Sequence, residues 1–254
     1  MSRHMPRRSF MAFAAGALLM PHSLLGRQRG QSEVPPLVDE VPPMLDHILL
    51  GSNDLERGMA FVEEHSGVRA AFGGVHPGRG TQNALLSLGA RRYLEIIAPD
   101  PNQQQGRLEA FALKQYALLK EMASPRLVGW AAHPGDLEKF SARLREAGVA
   151  FLGPWPGSRT RQDGSAPHWK TVNLKDDANA LLPFFIEWSA DSPHPSTDAP
   201  SGCQLLRFEL LTPDPAALDK RIAKLALKAP LAQGPAPELH AVISGPKGKL
   251  DITS

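Results

Sequence analysis

The side chains best suited to chemistry lie in two short apolar segments. His47 is in the apolar segment 45–50, and Glu95 is in the apolar segment 93–97. If both segments are strands, alternate side chains share a face, so each polar group projects from an otherwise apolar surface. A carboxylate in that setting is costly in free energy unless it is paired or binds a cation. The pattern therefore indicates that both side chains need a partner, either another polar group of the fold or a bound cation.

Three arginines and a histidine lie in two further loops. Arg79 follows His76 in a glycine-rich turn, and Arg159 and Arg161 lie in the segment 158–163. Guanidinium groups bind carboxylate or phosphate through two parallel hydrogen bonds. We therefore expect these four residues to bind an anionic group of a substrate. The alternative is that both loops are solvated turns, in which glycine and proline serve backbone geometry alone.

The elements that must position these residues form an internal repeat. A strand, a helix and two or three short strands occur in the same order three times. The helices are predicted to begin at Asn53, where Glu56 completes a capping box, and at Asp136 and Asp214. The pattern predicts an α+β fold with βαβββ module 1 and a connecting helix at 44–123, module 2 at 124–190, a linker at 191–203 and a degenerate module 3 at 204–254.

Several strings resemble the glyoxalase-like domain proteins of bacteria, which belong to the vicinal oxygen chelate superfamily. The strings are residues 76–86, 157–164, 183–188 and 194–200. The resemblance spans about residues 44 to 254. It implies modules whose curved mixed sheets form a cup-like barrel, with a divalent metal inside the cup. The metal ligands of the superfamily come from the first and last strands of each module.

The resemblance also implies which residues hold that metal. His47 and Glu95 match the ligand positions of module 1. Aligning the helix starts places Gly129 opposite His47, so the histidine of module 2 is absent, and aligning the last strands places Glu187 opposite Glu95. The implied site is His47, Glu95 and Glu187 around Fe, Mn, Co, Ni or Zn, metals that accept mixed nitrogen and oxygen ligands. His168 is a further possible ligand.

Two functions of different class follow from the resemblance. The first is an enzyme whose metal chelates a small oxygen-rich or carboxylate-bearing substrate, while Glu95 or Glu187 moves a proton; lyase, isomerase, hydrolase and dioxygenase chemistry fit this scheme. The second is a non-catalytic protein that binds or sequesters a small molecule in the same cup. The small molecule is the expected partner in both cases, and the chain is expected to be a monomer or homodimer.

Composition excludes other classes of protein. The chain has 254 residues with a single Cys, which excludes an intrachain disulfide and a cysteine-rich metal site. Its 28 Lys and Arg nearly balance its 26 Asp and Glu, a balance that argues against a nucleic-acid binder. The expected chemistry therefore uses oxygen and nitrogen groups.

The first 30 residues are predicted to be an export signal. They contain five Arg and no acidic residue, and Arg7 and Arg8 run directly into the apolar stretch 10–20. This string resembles the twin-arginine signal of bacteria, and residues 31–43 form a proline-rich spacer. We therefore expect export to the periplasm, with the twin-arginine translocase as a transient partner. No stable membrane span is expected unless the signal stays uncleaved, because about 20 apolar residues are needed to cross a bilayer.

Overall fold

Three strand–helix–strand segments follow one another, as the repeat predicts. The computed structural model describes residues 41–102, 108 and 112–254. The first segment comprises β1 (Leu45–Gly51), α1 (Leu55–Ser66), β2 (Ala71–His76), β3 (Thr81–Ser87) and β4 (Tyr93–Pro99). After α2 (Ala112–Lys120), the second comprises β5 (Arg126–Ala132), α3 (Leu137–Glu146), β6 (Phe151–Ser158), β7 (His168–Leu174) and β8 (Phe184–Trp188). The third comprises β9 (Gln204–Thr212), α4 (Pro215–Lys224), β10 (Leu231–Gln233), β11 (Glu238–Gly245) and β12 (Gly248–Thr253).

The first two segments share one curled mixed sheet. Its eight strands lie in the order β2-β3-β4-β1-β5-β8-β7-β6. Strand β1 pairs in parallel with β4 and antiparallel with β5, so the two modules join through their first strands. This arrangement confirms the predicted α+β fold, in which βαβββ modules build a cup.

A backbone bridge ties the two edges of the curled sheet together. The N–H of Val75 in β2 donates to the carbonyl oxygen of Thr160 at 3.2 Å, and the N–H of Thr160 donates back at 3.0 Å. Gly74 makes the close approach possible, because its φ is +144° and a Cβ there would overlap the Thr160 carbonyl oxygen. The bridge fixes the residues that follow β6 beside the strands of module 1.

The alternation along β1 separates the core from the cup. Ile48 and Leu50 are fully buried and pack into the main apolar core on the outer side of the sheet. His47 and Leu49 line the inner cavity instead. The sequence of a single strand therefore determines which residues stabilise the fold and which remain available to a ligand.

Aspartates cap the helices at their amino ends. Asp136 accepts a hydrogen bond from the N–H of Lys139 and Asp214 from that of Ala217, as predicted. The first helix differs, because Asp54 rather than Asn53 accepts from the N–H of Arg57. The aspartate is one residue closer to the helix, where its carboxylate reaches the exposed N–H groups of the first turn.

The third segment covers the outside of the curled sheet. Its four strands lie in the order β10-β9-β11-β12, which differs from the order within module 1. Strands β11 and β12 contact α1 and β5, and the ring of Phe208 packs on Trp130 with centroids 5.4 Å apart. Phe208 is fully buried, so module 3 adds apolar core to the outer face of the sheet.

The predicted signal at residues 1–30 and most of the spacer at 31–43 lie outside the described residues. In the part of the chain that the structure describes, no helix is long and apolar enough to cross a membrane.

Candidate functional site

The concave face of the curled sheet encloses a cavity of about 670 Å³. We call this cavity the cup. Much of its wall is apolar. One polar group lies where the strands of module 1 meet the loop after β6, and further polar residues of α2 and module 2, among them Lys114, Thr171, Lys175 and Asp177, also line the cavity. The residues of the apolar wall are Leu49, Ile97, Leu118, Leu119, Val128, Leu152, Trp155, Trp169, Phe184, Ile186 and Trp188. The polar group comprises His47, His76, Asn83, Glu95 and Arg159.

Glu95 is the centre of this polar group. Its Oε2 lies 3.4 Å from Nε2 of His47, on the neighbouring strand β1. Its Oε1 accepts a hydrogen bond of 2.8 Å from Nδ2 of Asn83 on β3 and lies 3.8 Å from Nε2 of His76 on β2. All four strands of module 1 thus contribute a side chain to one buried cluster.

Asp46 fixes the orientation of the His47 ring. Nδ1 of His47 donates to Oδ1 of Asp46 at 2.8 Å, and the Asp46 side chain is fully buried. The two adjacent side chains meet because the β1–β5 pairing is irregular between Leu45 and His47. Nε2 of His47 lies 3.4 Å from Oε2 of Glu95, so this contact is at most a long, weak hydrogen bond. The ring therefore presents one nitrogen to a ligand.

The Asp46 carboxylate also contacts a second histidine, His194, which does not line the cup. Oδ2 of Asp46 lies 3.2 Å from Nε2 of His194, and Nε1 of Trp188 donates to Oδ1 of Asp46 at 3.4 Å. His194 lines a separate cavity of about 250 Å³, together with Arg91 and His133. The contact between Asp46 and His194 could not be predicted from the sequence, because the two residues are 148 positions apart. The position of Asp46 directly before His47 was the only available signal.

Burial and neighbouring charges shift the pKa values of this cluster in different directions. Burial by itself lowers the pKa of His47, but the carboxylates of Asp46 and Glu95 outweigh it and raise this pKa to about 9. Burial by itself raises the pKa of Glu95, but the hydrogen bond and charge of His47, with smaller effects of His76 and Asn83, lower it to about 2. Burial lowers the pKa of His76 to about 4. At neutral pH the cup thus holds an imidazolium at His47, a carboxylate at Glu95 and a neutral His76.

Arg159 brings a buried cation to the same end of the cup. It follows β6 directly, is 1% exposed and lines the cavity. Its Nε and Nη2 have no hydrogen-bond partner among the described residues. Burial lowers its pKa, but a guanidinium stays charged in proteins. Two donors of this group therefore remain available to a ligand.

The structure brings together most of the site residues expected from the sequence. His47, His76, Arg79, Glu95 and Arg159 all line the cup.

Two candidate residues lie elsewhere. Nη2 of Arg161 forms an ion pair of 2.6 Å with Oδ2 of Asp198. His168 is exposed on β7, whose alternation turns the next residue, Trp169, toward the cup.

Glu187, expected as a metal ligand and a catalytic residue, does not join His47 and Glu95. It is on β8, where Phe184, Ile186 and Trp188 face the cup and Glu187 faces away. Its Oε2 accepts a hydrogen bond of 2.5 Å from the N–H of Leu137 at the start of α3. The alignment with Glu95 was one residue out of phase, and in a strand such an error moves a side chain to the opposite face.

The residues of the cup supply only two of the three ligands that the superfamily resemblance implies. Module 1 offers Nε2 of His47 and the carboxylate of Glu95. On β5, Gly129 faces open space and Ala131 packs on Ile186, so the described part of module 2 places no ligand there. Across residues 41–102, 108 and 112–254, no group of three or more His, Cys, Asp or Glu is arranged to hold a metal ion. The residues therefore do not fit the expected metal site.

Comparison with known proteins agrees with this fold. The profile of the glyoxalase-like domain family matches residues 45–226, most of the described chain. The chain belongs to this family. A search of curated proteins finds no match. The glyoxalase-like domain thus spans both modules of the cup and helix α4 of the third segment.

One solved structure shares this architecture, and two others overlap with part of the chain. A hypothetical protein from Staphylococcus aureus matches with a TM-score of 0.55 and 15% identity, covering 82% of this chain and 84% of that one. A methylmalonyl-CoA epimerase from Mycobacterium tuberculosis has a TM-score of 0.40 and 19% identity over 60% of this chain and 91% of its own. A variant of the Streptomyces coelicolor methylmalonyl-CoA epimerase, in complex with 2-nitronate-propionyl-CoA, has a TM-score of 0.41 and 20% identity. The match covers 59% of this chain and 97% of that one. The likeness to the Staphylococcus aureus protein concerns the fold alone.

Proposed function

We propose that the cup is the active site of an enzyme that moves a proton on a small oxygen-rich or carboxylate-bearing substrate. The observation that supports this most directly is the buried His47–Glu95 pair, which opens onto a cavity large enough for a small molecule. A proton donor and a proton acceptor 3.4 Å apart, both shielded from bulk water, are the minimum that acid–base chemistry requires.

In this proposal Glu95 is the base. Its carboxylate removes a proton from a substrate carbon next to a carbonyl, and the electron pair of that C–H bond moves onto the carbonyl oxygen. The resulting enolate oxygen is stabilised by the N–H of His47, while Arg159 binds an anionic group of the substrate. Glu95 then returns the proton to carbon, so the reaction needs no oxidant or further reactant.

The hydrogen bonds of the free site are consistent with this role. His47 lowers the pKa of Glu95 through a hydrogen bond and its charge. When the N–H of His47 turns to a substrate oxygen, Glu95 loses that hydrogen bond, and its basicity rises at the moment it is needed. Asn83 keeps the carboxylate in place meanwhile, through its hydrogen bond to Oε1. No step of this scheme uses a metal.

A second candidate function is binding without turnover. It is favoured by strand β5 of module 2, where Gly129 and Ala131 pair with the strand that carries His47 and supply neither an acid nor a base. In that case the same cup sequesters its small molecule, and Glu95 serves only to orient it.

Solvent deuterium exchange distinguishes these functions. We expect the protein to catalyse exchange at the carbon next to the carbonyl in at least one member of a panel of 2-oxo and 3-oxo carboxylates, followed by NMR. Glu95→Gln should lower the exchange rate by about a hundredfold or more, as loss of a general base does. Glu187→Gln is the matched control, because this glutamate faces away from the cup, and its rate should stay within about twofold of the parent.

Other outcomes overturn the proposal in distinct ways. Exchange that persists in Glu95→Gln would remove Glu95 as the base. Ligand binding without exchange across the panel would support the sequestering function. Stoichiometric divalent metal in the purified protein, with activity lost on chelation and restored by the metal, would show that the metal-free scheme is wrong.

We also propose that the protein is exported. The support is the sequence of residues 1–30, in which Arg7 and Arg8 precede a short apolar stretch. The twin-arginine route carries proteins that are already folded. This chain suits that route, because with one Cys it has no intrachain disulfide to form after transport.

A further inference from the structure

We propose that the ligand of the cup is an amphiphilic carboxylate, whose head is bound by Arg159 and whose flat apolar body lies against the tryptophan wall. This inference rests on the proposed site and names its substrate class. It concerns binding alone, so it is tested without turnover.

The Arg159 guanidinium has one edge without hydrogen-bond partners among the described residues. Nε and Nη2 lie on the same edge of this planar group, and these are the two nitrogens without a hydrogen-bond partner among the described residues. This edge matches the two oxygens of one carboxylate. Buried donors left without an acceptor cost free energy. A ligand that supplies an acceptor at this position removes that cost and so stabilises the complex.

Basic side chains outnumber acidic ones around the cup. Three basic residues, Lys114, Arg159 and Lys175, line it beside the two acidic residues Glu95 and Asp177. The excess of basic groups favours an anion. Arg161 does not contribute, because Asp198 already neutralises it. Glu95 repels an anion placed beside it, so the carboxylate must sit on the Arg159 side, which leaves Glu95 facing a neighbouring part of the ligand.

An aromatic wall begins next to the polar group of the cup, where Trp169 meets His76. Trp169 packs edge-on against His76, with ring centroids 6.1 Å apart, and its own ring lies 5.1 Å from that of Trp188. Phe184 meets the ring of His47 at 5.5 Å. A small polar acid would leave this wall in contact with water, whereas an aromatic or branched apolar body covers it.

The size of the cavity sets the same requirement. A volume of about 670 Å³ is in the range of sites for ligands much larger than acetate. The lining residues Leu118 and Leu152 are 44% and 40% exposed, so the apolar surface continues to the outside. A ligand can thus enter with its apolar end outward and its carboxylate toward Arg159.

A set of naphthalene derivatives tests the proposal by direct binding. The probes are 2-naphthoate, the neutral isostere 2-naphthamide, acetate as the head alone and 2-naphthyl phosphate as the alternative anion. Affinity is measured by isothermal titration calorimetry and by quenching of tryptophan fluorescence. We expect 2-naphthoate to bind about tenfold or more tightly than 2-naphthamide, since hydrogen bonds to charged groups are of that strength. Acetate should bind weakest, and 2-naphthyl phosphate more weakly than 2-naphthoate.

The variants assign the preference to one side chain. Arg159→Gln should reduce the affinity for 2-naphthoate to that for 2-naphthamide, while 2-naphthamide binding stays unchanged and shows that the cup is intact. Arg159→Lys should restore only part of the preference, because an ammonium lacks the two-nitrogen edge. Arg161→Gln, the neighbouring control, should retain the full preference.

Three results would overturn the inference. They are equal affinity for acid and amide in the parent protein, a preference for the acid that survives in Arg159→Gln, and tighter binding of the phosphate than of the carboxylate. The Glu95→Gln variant separates this inference from the proposed function. It should lose proton exchange yet bind 2-naphthoate at least as tightly as the parent, since a like charge has been removed.

Discussion

At the scale of single residues, the hydrogen bond from His47 to Asp46 couples the geometry of the site to its charge. The carboxylate holds the imidazole ring and, together with Glu95, raises the pKa of His47 to about 9. Asp46 does not line the cup, so we regard it as a positioning residue. Its effect on the reaction passes through His47.

Replacing Asp46 by Asn should therefore lower kcat by about tenfold to a hundredfold with a smaller change in KM. The amide still accepts the hydrogen bond from Nδ1 but has no charge, so the pKa of His47 falls and the alkaline limb of the pH–rate profile moves to lower pH. The matched control is Asp251→Asn, whose carboxylate lies 2.9 Å from His240 on the outer sheet. An unchanged alkaline limb in Asp46→Asn would contradict this role.

The buried pair should also be visible in the pH dependence of stability. The pKa of His47 is raised in the fold from 6.5 to about 9, so its contribution to the free energy of unfolding is complete below pH 6.5 and is lost as the pH rises through 9. The expected loss is about 3 kcal/mol by linkage. Urea unfolding from pH 6 to 10 measures it, and a decline of the same size in His47→Gln would refute the assignment.

Glu95 gives the opposite dependence at acid pH. Its pKa is lowered from 4.5 to about 2, so its contribution is complete above pH 4.5 and is lost as the pH falls through 2. The two groups together predict greatest stability between about pH 4.5 and 6.5 for the terms that this pair contributes.

Sequence reasoning worked at the residue scale where a strand's alternation was unambiguous. His47 and Glu95 could be found because each is a polar residue on an apolar strand face. Glu187 was misplaced because the short strand β8 has aromatic residues on both faces, so its register cannot be read from hydrophobicity. The partnership of Asp46 and His194 depends on a loop returning to β1, which no local pattern reports.

At the scale of elements, the bridge between Val75 and Thr160 determines where Arg159 lies. Arg159 immediately precedes Thr160, so the backbone pairing places the guanidinium of module 2 against the polar cluster of module 1. Gly74 permits this pairing through its positive φ and its missing side chain.

Gly74→Ala should accordingly destabilise the protein and weaken ligand binding together. A Cβ there is strained and overlaps the Thr160 carbonyl oxygen, so we expect a loss of about 1–3 kcal/mol in the free energy of unfolding. The affinity for 2-naphthoate should fall about tenfold or more as Arg159 shifts. Gly89→Ala is the control, since its φ is +106° but nothing lies within 4 Å of the added atom. Gly89→Ala should lower the free energy of unfolding through backbone strain but leave the affinity for 2-naphthoate unchanged.

The order of elements was predictable from sequence, but the pairing of module 3 was not. Aspartate caps and apolar periodicity are local signals, and they located α3 and α4. The order β10-β9-β11-β12 depends on which strand edges meet in space. The sequence of β9 fits either arrangement, because its alternation fixes only which face is buried.

At the scale of the whole molecule, the predicted export signal can be tested independently of the cup. Replacing Arg7 and Arg8 by Lys should leave the protein in the cytoplasm, measured by cell fractionation in a bacterium with a twin-arginine translocase. Replacing Arg27 and Arg29 by Lys is the charge-matched control and should leave export unchanged. Periplasmic protein from the Arg7→Lys/Arg8→Lys variant would refute the proposal.

The open space beside Gly129 gives the two modules different freedom to change. The proposed base Glu95 and its partner His47 are both in module 1, whereas Gly129 and Ala131 on β5 of module 2 are small residues with no part in the proposed proton transfer. A side chain added at Gly129 meets no atom within 4 Å, so single substitutions there can shorten or reshape the cup without touching His47 or Glu95. Such a position lets a duplicated scaffold acquire new substrates while one half keeps its reaction.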